Sequence, residues 1–138
     1  MTYSRRSSLK AIQSYATVGL ETEVMSARPE RLITLLLAGA RAAIAKARIH
    51  LDNNRIAERG AAISKAIRIV DEGLRAALDL KTGGELAANL ERLYEYVIRT
   101  LLAANLRADR AQLDHADALL ANIEEGWRTS VDKTAALG

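Results

Sequence analysis

An all-α fold, an elongated antiparallel four-helix bundle with a short N-terminal arm, is predicted by three features of the sequence. Aliphatic residues and alanine recur at steps of three and four over four long stretches, which is the period of a helix face and not of a strand. Strand-favouring aromatics are scarce, with no Phe, one Trp and four Tyr in 138 residues. The stretches are separated by connections of only a few residues, so consecutive helices pack up-down-up-down. A chain of this length supports one core.

Residues 1–27 form a segment of their own, basic and polar at first and then carrying Leu9, Ile12, Tyr15, Ala16 and Val18. Leu9, Ile12 and Ala16 share one helical face, and Tyr15 and Val18 a neighbouring one. That stripe is too short for a stable isolated helix. Two readings are open: a frayed terminus, or a partly helical arm that lies in a groove of the body and can be displaced from it. A free tail has little reason to carry Tyr3, Tyr15 and spaced aliphatics, which favours the arm, with Leu9, Ile12, Tyr15 and Val18 as its contacts.

The bundle is expected over residues 28–129. Pro29 suits the first turn of a helix and Glu30 lies near its positive end. This helix runs to about Leu51 with Ile33, Leu36, Leu37, Ala40, Ile44, Ala47 and Leu51 inward, broadened by Leu32, Leu35 and Ala43. Gly39, Ala40, Ala42 and Ala43 make its centre slim, and Asp52-Asn53-Asn54 is a turn signal. The second helix spans about Arg55 to Leu80, with Ile56, Ile63, Ile67, Val70, Leu74 and Ala77 on its seam and Ile69, Ala76 and Leu80 off it. Gly83 suits the left-handed residue past its end. The third carries Leu86, Leu90, Leu93, Val97, Leu101 and Ala104 inward, with Tyr94, Ile98 and Leu102 off the seam. Asp109 and Gln112 form a candidate capping pair for the fourth helix, about Arg110 to Arg128, which buries Leu113, Ala116, Leu120, Ile123 and Trp127. Residues 130–138 lack a sustained pattern and are expected to be a flexible tail.

The net charge of +3 suggests nucleic acid until it is located. Arg5, Arg6 and Lys10 lie among the first twenty residues, which contain no acid. The rest of the chain holds 17 basic residues, the 20 of the whole less those three, against 17 acidic ones. A balanced body lacks the basic face that binds DNA or RNA. With no cysteine there is neither a disulfide nor a thiolate metal site. Charges interrupt every apolar run well short of the ~20 residues of a membrane span. No apolar stretch comes after Arg5-Arg6 as in a secretory signal, so no membrane insertion and a cytoplasmic location are expected.

Catalytic chemistry finds little footing. His50 and His115 have no Glu at the three-residue spacing of a di-iron bundle site and no further ligands. Gly83-Gly84 lacks the context of a phosphate loop and reads as a corner between helices. Ser64-Lys65 is no nucleophile–base pair by spacing alone, and Asp71-Glu72 and Glu124-Glu125 point different ways around their helices. No catalytic residue, metal or cofactor is expected.

Several short motifs then align in order. They are Pro29-Glu30-Arg31-Leu32-Ile33, Gly39-Ala40, Ile63-Ser64-Lys65-Ala66, Leu78-Asp79, and Gly83-Gly84-Glu85-Leu86-Ala87 with Asn89-Leu90. Leu93-Tyr94, Tyr96, Leu101-Leu102 and Ala104-Asn105 complete the series. Each alone is weak, but their order and spacing from Val24 to Asp109 resemble the flagellin-specific export chaperones, the FliS family. Two departures stand out. Arg28 replaces the small capping residue common before the proline, leaving Ser26 as a substitute cap. Leu36-Leu37-Ala38-Gly39-Ala40 lacks the aromatic and the acid of the family's Leu-Tyr-Asp-Gly-Ala.

The resemblance implies a cytoplasmic, non-catalytic holdase. Such a protein binds the disordered C-terminal segment of flagellin, prevents premature polymerisation and brings the client to the gate of the flagellar type III export apparatus. The arm would cover part of the client groove. Client contact is expected at Ile69, Leu80, Leu86, Leu90, Tyr94, Ile98 and Leu102, each with core packing as its plain alternative. Two rival readings remain. One is a helical-bundle regulator or adaptor that binds another flagellar or anti-sigma-type partner, and the other is a bundle enzyme or metal protein.

Overall fold

Pro29 opens the first helix with a ring that needs no amide partner, and the chain before it is extended at Arg28. The computed structural model describes residues 28–137, with side chains as far as residue 131. The arm residues Leu9, Ile12, Tyr15 and Val18, and the substitute cap Ser26, lie outside it. Four helices make up the fold: α1 (Pro29–Asp52), α2 (Ile56–Arg68), α3 (Gly84–Arg107) and α4 (Arg110–Leu137). A π-helical segment, Ile69–Arg75, continues α2 without a break. No strand occurs among the described residues, and the all-α bundle is the observed fold.

Side-chain links establish how the helices run. Arg110 at the start of α4 meets Asp52 at the end of α1, and the Trp127 indole donates to the Glu30 carbonyl at 3.2 Å, so α1 and α4 are antiparallel. Arg59 near the start of α2 donates to the side chain and carbonyl of Asn105 near the end of α3, both at 3.2 Å. Each helix therefore has two lateral neighbours, and α1 and α3 face one another across the core.

That core is assembled around α1. Leu36, Leu37, Ala40, Ile44 and Ala47 are fully enclosed, as are Ile63, Val70, Leu74, Val97, Leu101, Leu113, Ala116 and Leu120. Small residues let helices close in where α1 is slim: a Cβ placed on Gly39 would touch Ile69 at 3.6 Å. The one buried polar side chain among the described residues, Thr100, returns its hydroxyl to the Tyr96 carbonyl at 2.8 Å, so it brings no unsatisfied group into the core. Arg41 clamps α1 to α4, donating to Asp117 at 2.9 Å and to Glu124 at 2.7 Å. These hydrogen bonds hold its guanidinium far above its ordinary pKa.

The structure departs from the sequence expectation in several places. The second helix stops at Arg75, not Leu80, so Ala77 is exposed instead of on a seam. Ile69 opens a π-helical run but is still held in the α pattern by Lys65, and it lies three residues on from buried Ala66 and against the slim stretch of α1 at Gly39, which places it in the core beside Val70 and Leu74. The left-handed glycine is Gly84, at φ 60°; Gly83 is helical. Finally, α4 stays helical to Leu137, past the point where its apolar pattern ends, because an established helix propagates at the cost of one ordered residue per bond. Expected seam residues Ile56 and Leu86 are also exposed, at 69 % each, for they lie at helix ends where no neighbour reaches them.

Local termini are well accounted for. Asn54, at φ 57°, makes the corner between α1 and α2, a conformation that asparagine tolerates. Ala108 ends α3 at φ 49°, and the Asp109 amide then closes on the Ala104 carbonyl. The Asp109 carboxylate accepts from the Ala111 amide at 3.0 Å, which caps α4 through the first member of the expected Asp109–Gln112 pair.

Tyr94 is buried in the core, and desolvation pushes its phenol up to about 12. Below pH 10 the phenol is neutral in both folded and unfolded chains and has no effect. From there upward only the unfolded chain ionises appreciably, so stability is lost as pH rises, by about 2 kcal/mol by pH 12. Urea titrations across this range should show a Tyr94→Phe variant losing less stability than the parent. Equal losses would mean that the phenol is not desolvated.

Candidate functional site

Because α2 ends early, residues 76–83 must bridge to α3 as an irregular segment, and this segment forms one wall of a concavity. Asp79 organises it. Its carboxylate accepts from the backbone amides of Lys81 and Thr82, each at 3.1 Å, and from the Thr82 hydroxyl. The Thr82 bonds, side chain first, hold the carboxyl below its ordinary pKa. Gly83 then donates its amide to the Asp79 carbonyl at 2.8 Å. A Cβ on Gly83 would lie 2.5 Å from that carbonyl and 2.6 Å from the Ala87 Cβ, so only glycine lets the chain turn this closely into α3.

Between this bridge, the start of α1 and the end of α4 lies a groove of about 790 Å³. Pro29, Leu32 and Ile33 form one wall, residues 76–82 the opposite one, and Trp127 closes the end. Its charged rim consists of Glu30, Asp79 and Lys81. Asp79 is ionised and engaged in holding its own loop, which leaves it unsuited to donate or take a proton. No cluster of metal-ligating side chains exists among the described residues. The His115 ring nitrogen instead meets the Tyr96 hydroxyl at 2.9 Å on the outer face of α3 and α4. The groove is an apolar seat, not a reaction chamber.

The residues proposed from sequence for client contact divide into three groups. Leu80, Leu86 and Leu102 are exposed, at 53 %, 69 % and 56 %. Leu90 and Ile98 are half-buried and rest against the core. Ile69 and Tyr94 belong to the core, Ile69 because it follows Ala66 by three residues and packs where Gly39 leaves room, and Tyr94 because the inward face of α3 centres on Ala87, Tyr94, Val97 and Leu101. Neither presents its side chain at the surface, so both leave the surface set as corrections to it. Leu80 lines the groove and Leu86 lies just beyond its loop.

Leu102 stands elsewhere. It shares the flank of α3 that carries Ile98 and Asn105, and Asn105 meets Arg59 of α2. Leu106, 84 % exposed, extends that flank by one turn, and Ile56 is exposed at the same end of the bundle. Sequence reasoning overlooked Leu106 and the groove walls Pro29, Ile33 and Leu78. Leu106 was detectable as the i+4 continuation of Ile98 and Leu102, whereas the groove depends on where α2 stops. Of the two unusual positions in α1, Leu37 is fully buried and Ala38 exposed, so the first alters packing and the second the surface.

The chain matches the family model described as "Flagellar protein FliS" over residues 11–134. The chain belongs to the FliS family. It is 48% identical over 117 residues to "Flagellar secretion chaperone FliS" of Salmonella typhimurium (strain LT2), covering 85% of this chain and 87% of that protein. Similarity extends to "Flagellar secretion chaperone FliSB" of Pseudomonas aeruginosa, 46% identical over 119 residues, with 86% and 94% of the two chains covered. The Escherichia coli (strain K12) chaperone of the same name as the first is 40% identical over 122 residues, 88% and 90% of the two chains. FliS proteins are flagellar secretion chaperones and not enzymes, which accords with a surface offering apolar seats in place of paired acids and bases. A chaperone of this kind has a client in flagellar export.

The bridge that shapes the groove is sensitive at one atom. Gly83→Ala should cost about 1–3 kcal/mol in urea unfolding, since the methyl meets backbone and the Ala87 Cβ rather than a movable side chain. A neutral effect would show that the loop reaches α3 by another path.

Proposed function

We propose that the client of this FliS-family chaperone is flagellin. The chaperone binds its C-terminal segment while that segment is disordered, keeps it from polymerising in the cytoplasm and delivers it to the export gate. The observation that supports an unfolded client is the placement of the exposed leucines. Leu86 and Leu102 are separated by about 24 Å along α3 at 1.5 Å per residue, and by about 160° around it. A single straight helix or a folded domain face does not reach both. A chain that wraps around the bundle does.

Magnitudes agree with a spread surface. Each of Leu80, Leu86, Leu102 and Leu106 retains half or more of its exposure, so completing its burial contributes about 1–2 kcal/mol, and the four together about 4–8 kcal/mol. Ordering a disordered segment costs about 2–5 kcal/mol or more. The leucines alone scarcely offset that, and stable binding requires the groove at the α1–α4 end as well. Leu90 and Ile98 add partial burial between these seats. The arm residues Leu9, Ile12, Tyr15 and Val18 act in this scheme as a displaceable cover. Described structure begins at Arg28, beside the Pro29 wall of the groove.

Calorimetric titration with the C-terminal segment of the cognate flagellin, alongside circular dichroism, should give near one-to-one binding with helix gained. Leu86→Ser and Leu102→Ser should each weaken it by roughly tenfold, equivalent to about 1.4 kcal/mol. Absence of binding at high concentration would favour an adaptor for a different flagellar or anti-sigma-type partner.

Removing residues 1–20 tests the cover separately. The shortened chain should keep its helix content and bind the client more tightly. Unfolding would make the arm part of the core, and an unchanged affinity would remove it from the binding scheme.

A further inference from the structure

The least ordinary backbone in the molecule is the π-helical run Ile69–Arg75. Such geometry is rare, is usually a single turn, and concentrates where a helix serves more than scaffolding. Nothing in Ile69-Val70-Asp71-Glu72-Gly73-Leu74-Arg75 demands it. There is no proline, and every amide in the run is chemically able to donate in the α pattern. Two contacts hold the wider register. A Cβ on Gly73 would fall 2.6 Å from Leu36 Cδ2, so the backbone here lies pressed against a core side chain that would have to shift to admit a larger residue. At the far end Arg75 is gripped by Asp71 at 3.2 Å, Glu91 at 3.4 Å and Glu95 at 2.8 Å.

The position of the run gives it leverage. Its last residue leads at once into residues 76–82, the entire wall of the groove facing α1. An α-turn holds one residue fewer than a π-turn, so conversion would rotate the downstream chain by about 100° and shift it by about 1.5 Å. Upstream, Ile63 and Ala66 stay seated in the core. The displacement therefore passes into the bridge carrying Leu78 and Leu80.

We propose that Ile69–Arg75 is a register switch whose π and α forms set two positions of the groove wall. The π form gives the open groove seen here, and the α form redraws the wall against Trp127. The switch concerns the shape of the groove and holds whatever segment fills it. Packing at Gly73–Leu36 and the carboxylates around Arg75 weight the balance toward π.

Arg75→Ala frees the far end of the run from its three carboxylates and shifts the balance toward the α form. Trp127 is the only tryptophan in the chain and lies in the groove, so it reports the wall directly. The variant should fold with unchanged helix content and show a shifted Trp127 emission maximum and altered acrylamide quenching. In the unmodified protein, amides of residues 70–75 should exchange with solvent roughly tenfold or more faster than those of residues 60–68, because switching breaks hydrogen bonds locally. A folded Arg75→Ala variant with parental Trp127 emission and quenching would overturn the proposal. Equal protection of the two segments would do so as well, and that measurement decides even if the variant fails to fold.

Discussion

The slimness of α1 is the constraint on which the rest of this molecule depends. Ala40, Ala43 and Ala47 are buried along with Leu36, Leu37 and Ile44, so α1 is enclosed on the sides facing α2, the π segment and α4. Close approach at the alanines lets the long side chains at either end fill the space between helices at native density. Gly73 continues the theme on the neighbouring element, since its missing side chain is where Leu36 lodges. A bundle with bulkier residues at these positions would splay, and the loop after Arg75 would no longer face the start of α1 to form a groove.

Polar links distribute themselves to suit that core. Arg41 joins α1 to the partly buried carboxylates of Asp117 and Glu124 along one seam, and Arg48 reaches Asp114 at 3.0 Å on the same seam. Arg59 and Arg75 tie α2 and its continuation to α3 along another. Exposed pairs contribute little each, so their value lies in fixing which helix neighbours which more than in stability. Arg41, Arg48, Arg59 and Arg75 are thereby committed to internal register.

Much of the fold was legible in the sequence, because helical periodicity in a long segment is a strong signal. Leu113, Ala116 and Leu120 on α4, and Val97, Leu101 and Ala104 on α3, were placed inward and are buried. The failures share one physical cause. A seam drawn at 3.6 residues per turn assumes that the helix is α throughout and that a neighbour accompanies it along its whole length. The π run breaks the first assumption; the early end of α2 breaks the second and leaves Leu86 uncovered. The exposed leucines of the site were partly legible as residues off the seam. The groove was not, for it is a consequence of where α2 and its continuation stop, and neither a proline nor a left-handed glycine marks that stop at Arg75.

A chaperone must expose apolar surface without inviting its own aggregation, and this bundle meets the demand by division. No single face collects all the leucines: Leu80 and Leu86 lie near one end, Leu102 and Leu106 toward the other and around the helix, with Glu91, Arg92, Glu95 and Arg99 between them. Small separated patches offer little to a second folded protein, whose rigid surface engages only one. An unfolded segment is different, because its length lets it engage several patches in turn, each engagement raising the effective concentration for the next. The same division that protects the free protein would thus favour flexibility in a partner. For an unfolded client of the kind proposed above, selectivity would arise from geometry, with no reactive group needed on the surface.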